Sequence, residues 1–379
     1  HYEKYGPVSR LDMVKNQRVL MCLGPEFNEA TLFDPKGNFS VAGGYASSLG
    51  GLYPDGMLTR DDAKHKRTRR ASQPAFKNDA LKTYVDMLIP IQERRIQDLP
   101  INEEFIFYDN IQKTLMDVAA RVFIGLDELS PEAKKLGHLF SEINEGLITP
   151  LPYDLPFLQF RKSLKAREEL RQFFIENIPK RRGSNGLDMF TRYCNAKDED
   201  GEYLDDIDID GHIAFLLFAA FDTTTSALTN ILYYLGKNPE WQDKVRNEIF
   251  SVTNEMPTFE DLAEMNLTEY VFQETLRFYP SVMVLNRRTT RDVNVAGYDI
   301  PANTVVMISP PFTHRMEQWW DDPYTFDPMR FSPERAEHKR HGFSYVPFGG
   351  GAHKCIGMHF AMMNAVSYTH LTLPTTAYV

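Results

Sequence analysis

Apolar and polar positions follow three different rhythms along this chain. Residues 8–14 and 17–23 alternate or run apolar on either side of Asn16 and predict a pair of β-strands. From about residue 61 to 280 the pattern is dominantly helical, broken at Pro100, Pro131, Pro150-Leu151-Pro152 and Gly183-Ser184-Asn185-Gly186. Asn238-Pro239-Glu240 starts one of these helices, with proline in the first turn. Residues 284–308 switch to short β-like runs, with turns at Gly297 and Pro301-Ala302-Asn303. Pro25 opens a short helical stretch. Residues 41–59, punctuated by Gly43, Gly44, Gly50, Gly51, Pro54 and Gly56, predict a long loop of the kind that is functional or mobile. The predicted class is mainly α with a minor β-sheet, in a single large domain without repeats or a linker.

One helical stretch differs from the others. Residues 207–235 would extend about 43 Å at 1.5 Å per residue. The stretch is apolar from Ile213 to Phe221, polar from Asp222 to Ser226, and apolar again from Leu228. Hydroxyls and an acid in a core helix cost free energy unless they are hydrogen-bonded. The patch therefore calls for a chemical reason, the bland alternative being that Thr223 back-bonds to the preceding turn. The longest unbroken apolar run, Ile213 to Phe221, is far short of the ~18 residues expected of a spanning helix.

Composition narrows the chemistry. With 379 residues, 42% hydrophobic and 25% charged, the chain can bury a sizeable core. A net charge of −10 argues against nonspecific nucleic-acid binding. Cys22, Cys194 and Cys355 are too far apart for a zinc or disulfide framework and too few for an iron–sulfur cluster. No Gly-x-Gly-x-x-Gly is present to bind a dinucleotide. Phe348-Gly349-Gly350-Gly351-Ala352-His353-Lys354-Cys355-Ile356-Gly357 places one cysteine between a glycine-rich loop and an apolar helical run, Ile356 to Val366. Helix N-terminal amides with His353 and Lys354 alongside favour the thiolate. A phosphate loop is excluded because Lys354 is followed by cysteine rather than serine or threonine. A buried structural cysteine is the bland alternative.

This segment resembles the haem-ligand loop of the cytochrome P-450 family, Phe-x-x-Gly-x-Arg/His-x-Cys-x-Gly, with Phe348, Gly351, His353, Cys355 and Gly357 in order. The resemblance implies the P-450 fold and a haem b whose iron is axially ligated by Cys355. Such a thiolate donates the electron density that favours O–O cleavage. Ala219-Ala220-Phe221-Asp222-Thr223-Thr224 is similar to the family's oxygen-site motif, with Ala220 at the usual second glycine. By that likeness Thr223 would hydrogen-bond the oxygen and Asp222 would help relay protons, while bulk water is kept out. Glu274-Thr275-Leu276-Arg277 resembles the family's buried Glu-x-x-Arg, which implies a partner arginine, Arg330, in Phe326-Asp327-Pro328-Met329-Arg330-Phe331. Met329 stands where the family commonly has glutamate. His65 and Arg69, four apart on one helix face, match a propionate site. Arg287 and His353 match two further propionate positions. Lys66, Arg67 and Arg70 are expected outward, and with Arg335, His338, Lys339, Arg340, His341 and Lys354 they are expected to form a basic docking face for an acidic electron donor.

The implied activity is a haem-thiolate monooxygenase that hydroxylates an apolar lipid, sterol, terpenoid or fatty-acid-like substrate. It would use O2 and two electrons from a separate ferredoxin- or flavoprotein-type donor. Peroxygenase or isomerase chemistry on the same haem, and a non-catalytic haem-binding sensor, are the alternatives. Candidate pocket residues are Tyr45, Leu49, Tyr53, Phe215, Phe218, Val284 and Leu285, each of which could also be ordinary core. The implied location is the cytoplasm or the cytoplasmic face of a membrane. His1-Tyr2-Glu3-Lys4-Tyr5-Gly6 resembles the end of the family's first helix, so an N-terminal anchor could precede it. From Ser367 the composition turns to threonine and proline. The expectation is a P-450 domain over residues 1–366, without the family's C-terminal β-hairpin, followed by a non-native tail at 367–379 that resembles translated sequencing-adapter sequence.

Overall fold

The structure is a computed structural model that describes residues 2–12, 18–100, 103–198 and 200–373. Helices dominate, and the strands are short. The chain falls into two compact units. Unit one comprises His1–Tyr45, Ser226–Asn254 and Ala263–Met358; unit two comprises Ala46–Thr225, Glu255–Leu262 and His359–Val379.

Unit one carries the strands. The expected pair is present as β1 (Val8–Asp12) and β2 (Arg18–Cys22), antiparallel with Val8 opposite Cys22. The expected positions Met13, Val14, Asn16 and Gln17 lie outside the described residues. With β3 (Phe39–Ser40), β4 (Leu285–Thr289) and, after a separate hairpin of β5 (Val293–Val295) and β6 (Tyr298–Ile300), β7 (Val305–Ile308), they form a five-stranded sheet of order β1-β2-β7-β4-β3. β2 and β7 run parallel, and β4 is antiparallel to both of its neighbours. The β5–β6 turn takes Ala296 and Gly297 to positive φ, the conformation that suits a two-residue hairpin. Phe27, Leu32, Phe39, Val306, Ile308 and Val346 form one buried cluster. Val346 thus ties the segment leading to Cys355 into the core beside the sheet.

Unit two is helical. Asp62–Ser72, Asn78–Gln97, Phe107–Val118, Pro131–Leu147 and Gln159–Arg181 are its main helices; the last four are separated at breaks expected from the sequence, whereas the 3-10 turn Gln73–Phe76 that parts the first two was not expected. Ser130 caps the fourth by accepting from the Ala133 amide at 3.1 Å, with Pro131 in the first turn. The helix at Phe107–Val118 runs into a π turn, Ala119–Ile124, closed by Gly125 at φ 73°. The long helix spans Asp206–Lys237. Its most apolar window has a mean hydropathy of 1.3, long and apolar enough to cross a membrane, which an unbroken-run criterion misses. In unit two its Ile209, Ile213 and Ala214 are fully buried.

Two expectations are corrected. The predicted loop at 41–59 begins as a helix, Val41–Leu49, and ends in a short 3-10 turn, Met57–Thr59. Its glycines serve close packing rather than turning: a Cβ on Gly44 would lie 2.8 Å from the Asn286 carbonyl, and one on Gly56 would lie 2.5 Å from the Phe215 ring. The helix after Cys355 does not stop at Val366 but runs over Met358–Thr372. Ser367 is buried and donates to Gln92 Oε1 at 2.8 Å, while Tyr368 packs edge-on to Phe107. Tertiary burial here overrides weak helix propensity. Residues 374–379 of the expected tail lie outside the described residues.

Candidate functional site

The three cysteines occupy different environments. Cys22 and Cys194 are buried, and burial pushes each thiol up to about 12, so both stay protonated and inert. Cys355 is exposed, three residues before the helix Met358–Thr372. Its loop has little freedom. Gly349 and Gly351 sit at φ 67° and 62°, and a Cβ on Gly351 would lie 1.9 Å from the Leu32 carbonyl oxygen, so only glycine fits there. The Cys355 amide donates to the Phe348 carbonyl at 2.9 Å, and the Lys354 amide donates to that of Gly351 at 3.2 Å. Phe348 packs 6.3 Å from the Phe272 ring. His353 closes the 3-10 turn Gly351–His353, and Gly357 lies in the turn that leads to the helix. An exposed thiol on a rigid loop at a helix start is a donor suited to a haem iron, so the residues present fit that cofactor.

Behind the loop, unit one holds the expected charge network. Glu274, Arg277 and Arg330 are at most 1% exposed. Arg277 grips Glu274 with two bonds, Nε to Oε2 at 2.7 Å and Nη2 to Oε1 at 2.9 Å, and Arg330 Nε reaches Oε1 at 3.4 Å. Arg277 also donates to the His314 and Pro323 carbonyls, both at 2.8 Å, and lies over the Phe278 ring at 4.4 Å. Burial pushes the Glu274 carboxyl up, and the two guanidiniums oppose that shift. Sequence reasoning missed Glu337, a second fully buried carboxylate, which accepts from Arg330 at 3.0 Å and from Arg335 at 2.5 Å. Nothing in its spacing announces it. Arg335 also pairs with Asp327, and Arg340 with Asp321 at 2.5 Å. Much of the positive charge expected at 335–341 is therefore balanced within unit one. Arg287 is buried on β4 and donates to the Asn286 carbonyl at 2.8 Å and the Thr31 carbonyl at 3.3 Å. Tyr45 accepts from the Asn286 amide at 3.3 Å, Leu285 packs on the core cluster, and Val284 is half-buried just before β4.

Unit two holds the remaining candidates. On the helix Asp62–Ser72, His65 is buried, Arg69 half-buried, and Lys66, Arg67 and Arg70 exposed, as the pattern predicts. Arg67 is paired with Asp198 at 2.8 Å. Burial, helped by the charge of Arg69, lowers His65 to about 4, so its ring is neutral at pH 7. On the long helix, Ala220 is half-buried and Asp222 reaches the surface, yet partial desolvation raises its carboxyl above the ordinary range. The Thr223 hydroxyl donates to the Ala219 carbonyl at 2.7 Å, and that of Thr225 to Phe221 at 2.9 Å, the local back-bonding that loosens a helix. Tyr53 stacks on Phe218 at 4.9 Å and meets Phe215 edge-on at 6.2 Å, beside buried Leu49. The Tyr53 hydroxyl donates to Asn144 Oδ1 at 3.1 Å, a polar contact the sequence did not suggest.

Comparisons with known proteins agree with this geometry. A family model described as Cytochrome P450 matches residues 1–374. Cytochrome P450 136 of Mycobacterium tuberculosis is 33% identical over 98% of this chain and 76% of its own length. The sterol 14-demethylase of Arabidopsis thaliana is 27% identical over 98% and 78%. The cyclooctat-9-en-7-ol 5-monooxygenase of Streptomyces melanosporofaciens is 29% identical over 90% and 76%. Among solved structures, the retinoic acid-bound cyanobacterial CYP120A1 superposes with a TM-score of 0.87 at 27% identity, covering 98% of this chain and 85% of that one. Members of this family bind haem through a cysteine thiolate and use O2, redox partners and hydrophobic substrates. The chain belongs to the cytochrome P450 family and is a monooxygenase, an oxidoreductase.

Proposed function

We propose that Cys355 is the axial thiolate of a haem b and that the enzyme hydroxylates a bulky apolar substrate of sterol or terpenoid kind, lipid and fatty-acid-like molecules being the wider range. Two electrons come from a separate ferredoxin- or flavoprotein-type donor. The observation that carries this reading is the exposed thiol of Cys355 on a loop that Gly351 locks against Leu32. Haem supplies the oxygen chemistry when bound, and the protein tunes and positions it. In unit one, Cys355 provides the charged sulfur, and Arg287 and His353 are assigned to propionates. In unit two, the family pattern assigns His65 and Arg69 to the same task. Asp222, whose carboxyl is biased toward its protonated form, takes up and hands on protons. Thr223 offers a hydroxyl able to turn from the Ala219 carbonyl toward the oxygen substrate. Ala220 keeps the side chain there small.

Relatives named as a taxane 10-beta-hydroxylase, a sterol 14-demethylase and a cyclooctat-9-en-7-ol 5-monooxygenase support the sterol or terpenoid choice. The aromatic cluster of Tyr53, Phe215 and Phe218 supplies the residue type that apolar ligand sites use and supports that choice. The test is the absorption spectrum of the reduced, CO-bound protein. A thiolate-type band, absent from Cys355→Ser, is expected; a neutral-thiol or histidine-type band in the parent overturns the assignment. Titration with sterols, diterpenes and fatty acids, read by the shift of the haem band, then tests substrate class. A preference for fatty acids overturns the sterol or terpenoid choice.

A further inference from the structure

His314 has no part in the resemblance that led to Cys355, yet it lies between the charge network and the cysteine loop. Its ring is fully buried. Nδ1 is 3.3 Å from the Arg277 carbonyl oxygen, and Nε2 accepts from the Val346 amide at 2.9 Å. Its own carbonyl accepts from Arg277 Nη1 at 2.8 Å. His314 therefore holds Arg277 from two sides and Val346 from a third.

These partners set the tautomer. A carbonyl can only accept, so Nδ1 must carry the proton. A backbone N–H can only donate, so Nε2 must keep its lone pair. Beyond Val346 the bonds continue: the Val346 carbonyl accepts from the Gly349 amide at 3.0 Å, and the Phe348 carbonyl from the Cys355 amide at 2.9 Å. Two other side chains tether the same segment. Tyr345 donates to the Gln273 carbonyl at 2.8 Å, and Asn28 donates to the Phe343 carbonyl at 3.0 Å. The Tyr345 bond goes to the residue before Glu274, whereas that of Asn28 goes to the loop alone.

We propose that His314 is a positioning residue, a neutral Nδ1–H imidazole that couples the buried Glu274–Arg277 pair to the backbone presenting the Cys355 thiolate. This rests on the assignment of Cys355 as haem ligand. The groups facing the ring favour the neutral form. Arg277 lies on one side with Glu274 behind it, Arg315 is the next residue in the chain, and Trp320 and Tyr345 cover the ring at 6.5 and 5.1 Å. Burial and the Arg277 charge lower the imidazole to about 3, far below working pH. A charged ring would lose the acceptor that Val346 needs.

The first test uses the unaltered protein, haem-loaded, reduced and CO-bound, with 15N-labelled histidine. His314 is expected to show the neutral Nδ1–H signature throughout pH 5–8; an imidazolium or Nε2–H signature overturns the proposal. The second test compares His314→Phe, which keeps a ring without nitrogens, with His314→Gln, whose amide oxygen can accept from Val346. Amide exchange at Val346 should rise about 10- to 100-fold in the phenylalanine variant, and most of the thiolate-type CO band should be lost. Glutamine should restore both in large part. Parent-like exchange and an intact thiolate band in His314→Phe overturn the proposal. If His314→Phe does not fold, the tautomer measurement decides alone. A parent protein without a thiolate band removes the Cys355 assignment, while the tautomer and the exchange at Val346 still show whether His314 makes these bonds.

Discussion

Around Cys355 the backbone is held at almost every step. Gly351 is pressed against Leu32, Val346 is in the core and bonded to His314, and Glu274 and Arg277 lie behind in a network that excludes water. Around Asp222 and Thr223 there is far less restraint. Asp222 reaches the surface, and Thr223 is satisfied by a carbonyl one turn back along its own helix. The difference follows from the work each region is assigned. A ligand to iron must sit within a few tenths of an ångström of one position, so its support is over-determined. A proton carrier must change partners, so its bonds have to be local and exchangeable.

Breaking the rigid side should cost the most. Glu274→Ala leaves Arg277 and Arg330 buried without their shared carboxylate, a loss of about 3–5 kcal/mol. Denaturant unfolding and the haem content of the purified protein measure it, and a variant that unfolds like the parent with full haem would contradict the network's role. Next come the paired glycines. Gly351→Ala must accommodate both positive φ and the contact with Leu32, whereas Gly349→Ala meets only positive φ, with nothing within 4 Å of its Cβ. Gly349→Ala should cost about 1 kcal/mol and keep the thiolate-type CO band. Gly351→Ala should cost more and lose most of that band; equal effects would mean the Leu32 contact does not matter.

Changes on the looser side should separate activity from stability. Thr223→Ala should shift unfolding by less than about 1 kcal/mol, while product formation per electron supplied falls by about 10²-fold. A proportional loss of stability and turnover would place Thr223 with the scaffold instead. The smallest effect concerns Asp222 and pH. Its folded carboxyl titrates above the unfolded value near 3.8, because desolvation disfavours the charge. The folded form therefore binds the proton more tightly. The favourable contribution is full below the unfolded pKa and is lost as pH rises through the folded one. Asp222→Asn should accordingly be slightly more stable than the parent at pH 7, with the gap closing in acid; a gap that widens in acid reverses the sign.

The legible parts share one property. Cys355 with its glycines, Glu274 with Arg277, and His65 with Arg69 each show themselves over a few residues, because one loop or one helix face brings their members together. Helix and strand placement was equally readable wherever the apolar period was long, as at Asp206–Lys237. Gly43 and Gly44 misled because glycine marks a turn and a close approach with the same letter, and only the neighbours opposite, Ser40 and Arg288 for Gly43 and the Asn286 backbone for Gly44, show which applies. Ser367 and Thr369 looked helix-breaking because their burial depends on distant partners, including Gln92 for Ser367. The expected basic face at 335–341 looked stronger than it is because Asp321 and Asp327, which neutralise Arg340 and Arg335, lie up to 19 residues away.

By itself, then, the sequence showed the family's motifs: a cysteine in a glycine-rich loop before a helix, an acid and a hydroxyl on a long helix, and an acid and an arginine three residues apart. Short-range geometry makes such motifs, so spacing is enough to reveal them. Only the tertiary structure decided that Glu337 completes the charge network, that His314 bridges Arg277 to Val346, and that Asn144 meets Tyr53. Each of these contacts joins separate elements of the fold. Which side chains meet there is set by the packing of whole elements, and no local pattern encodes it.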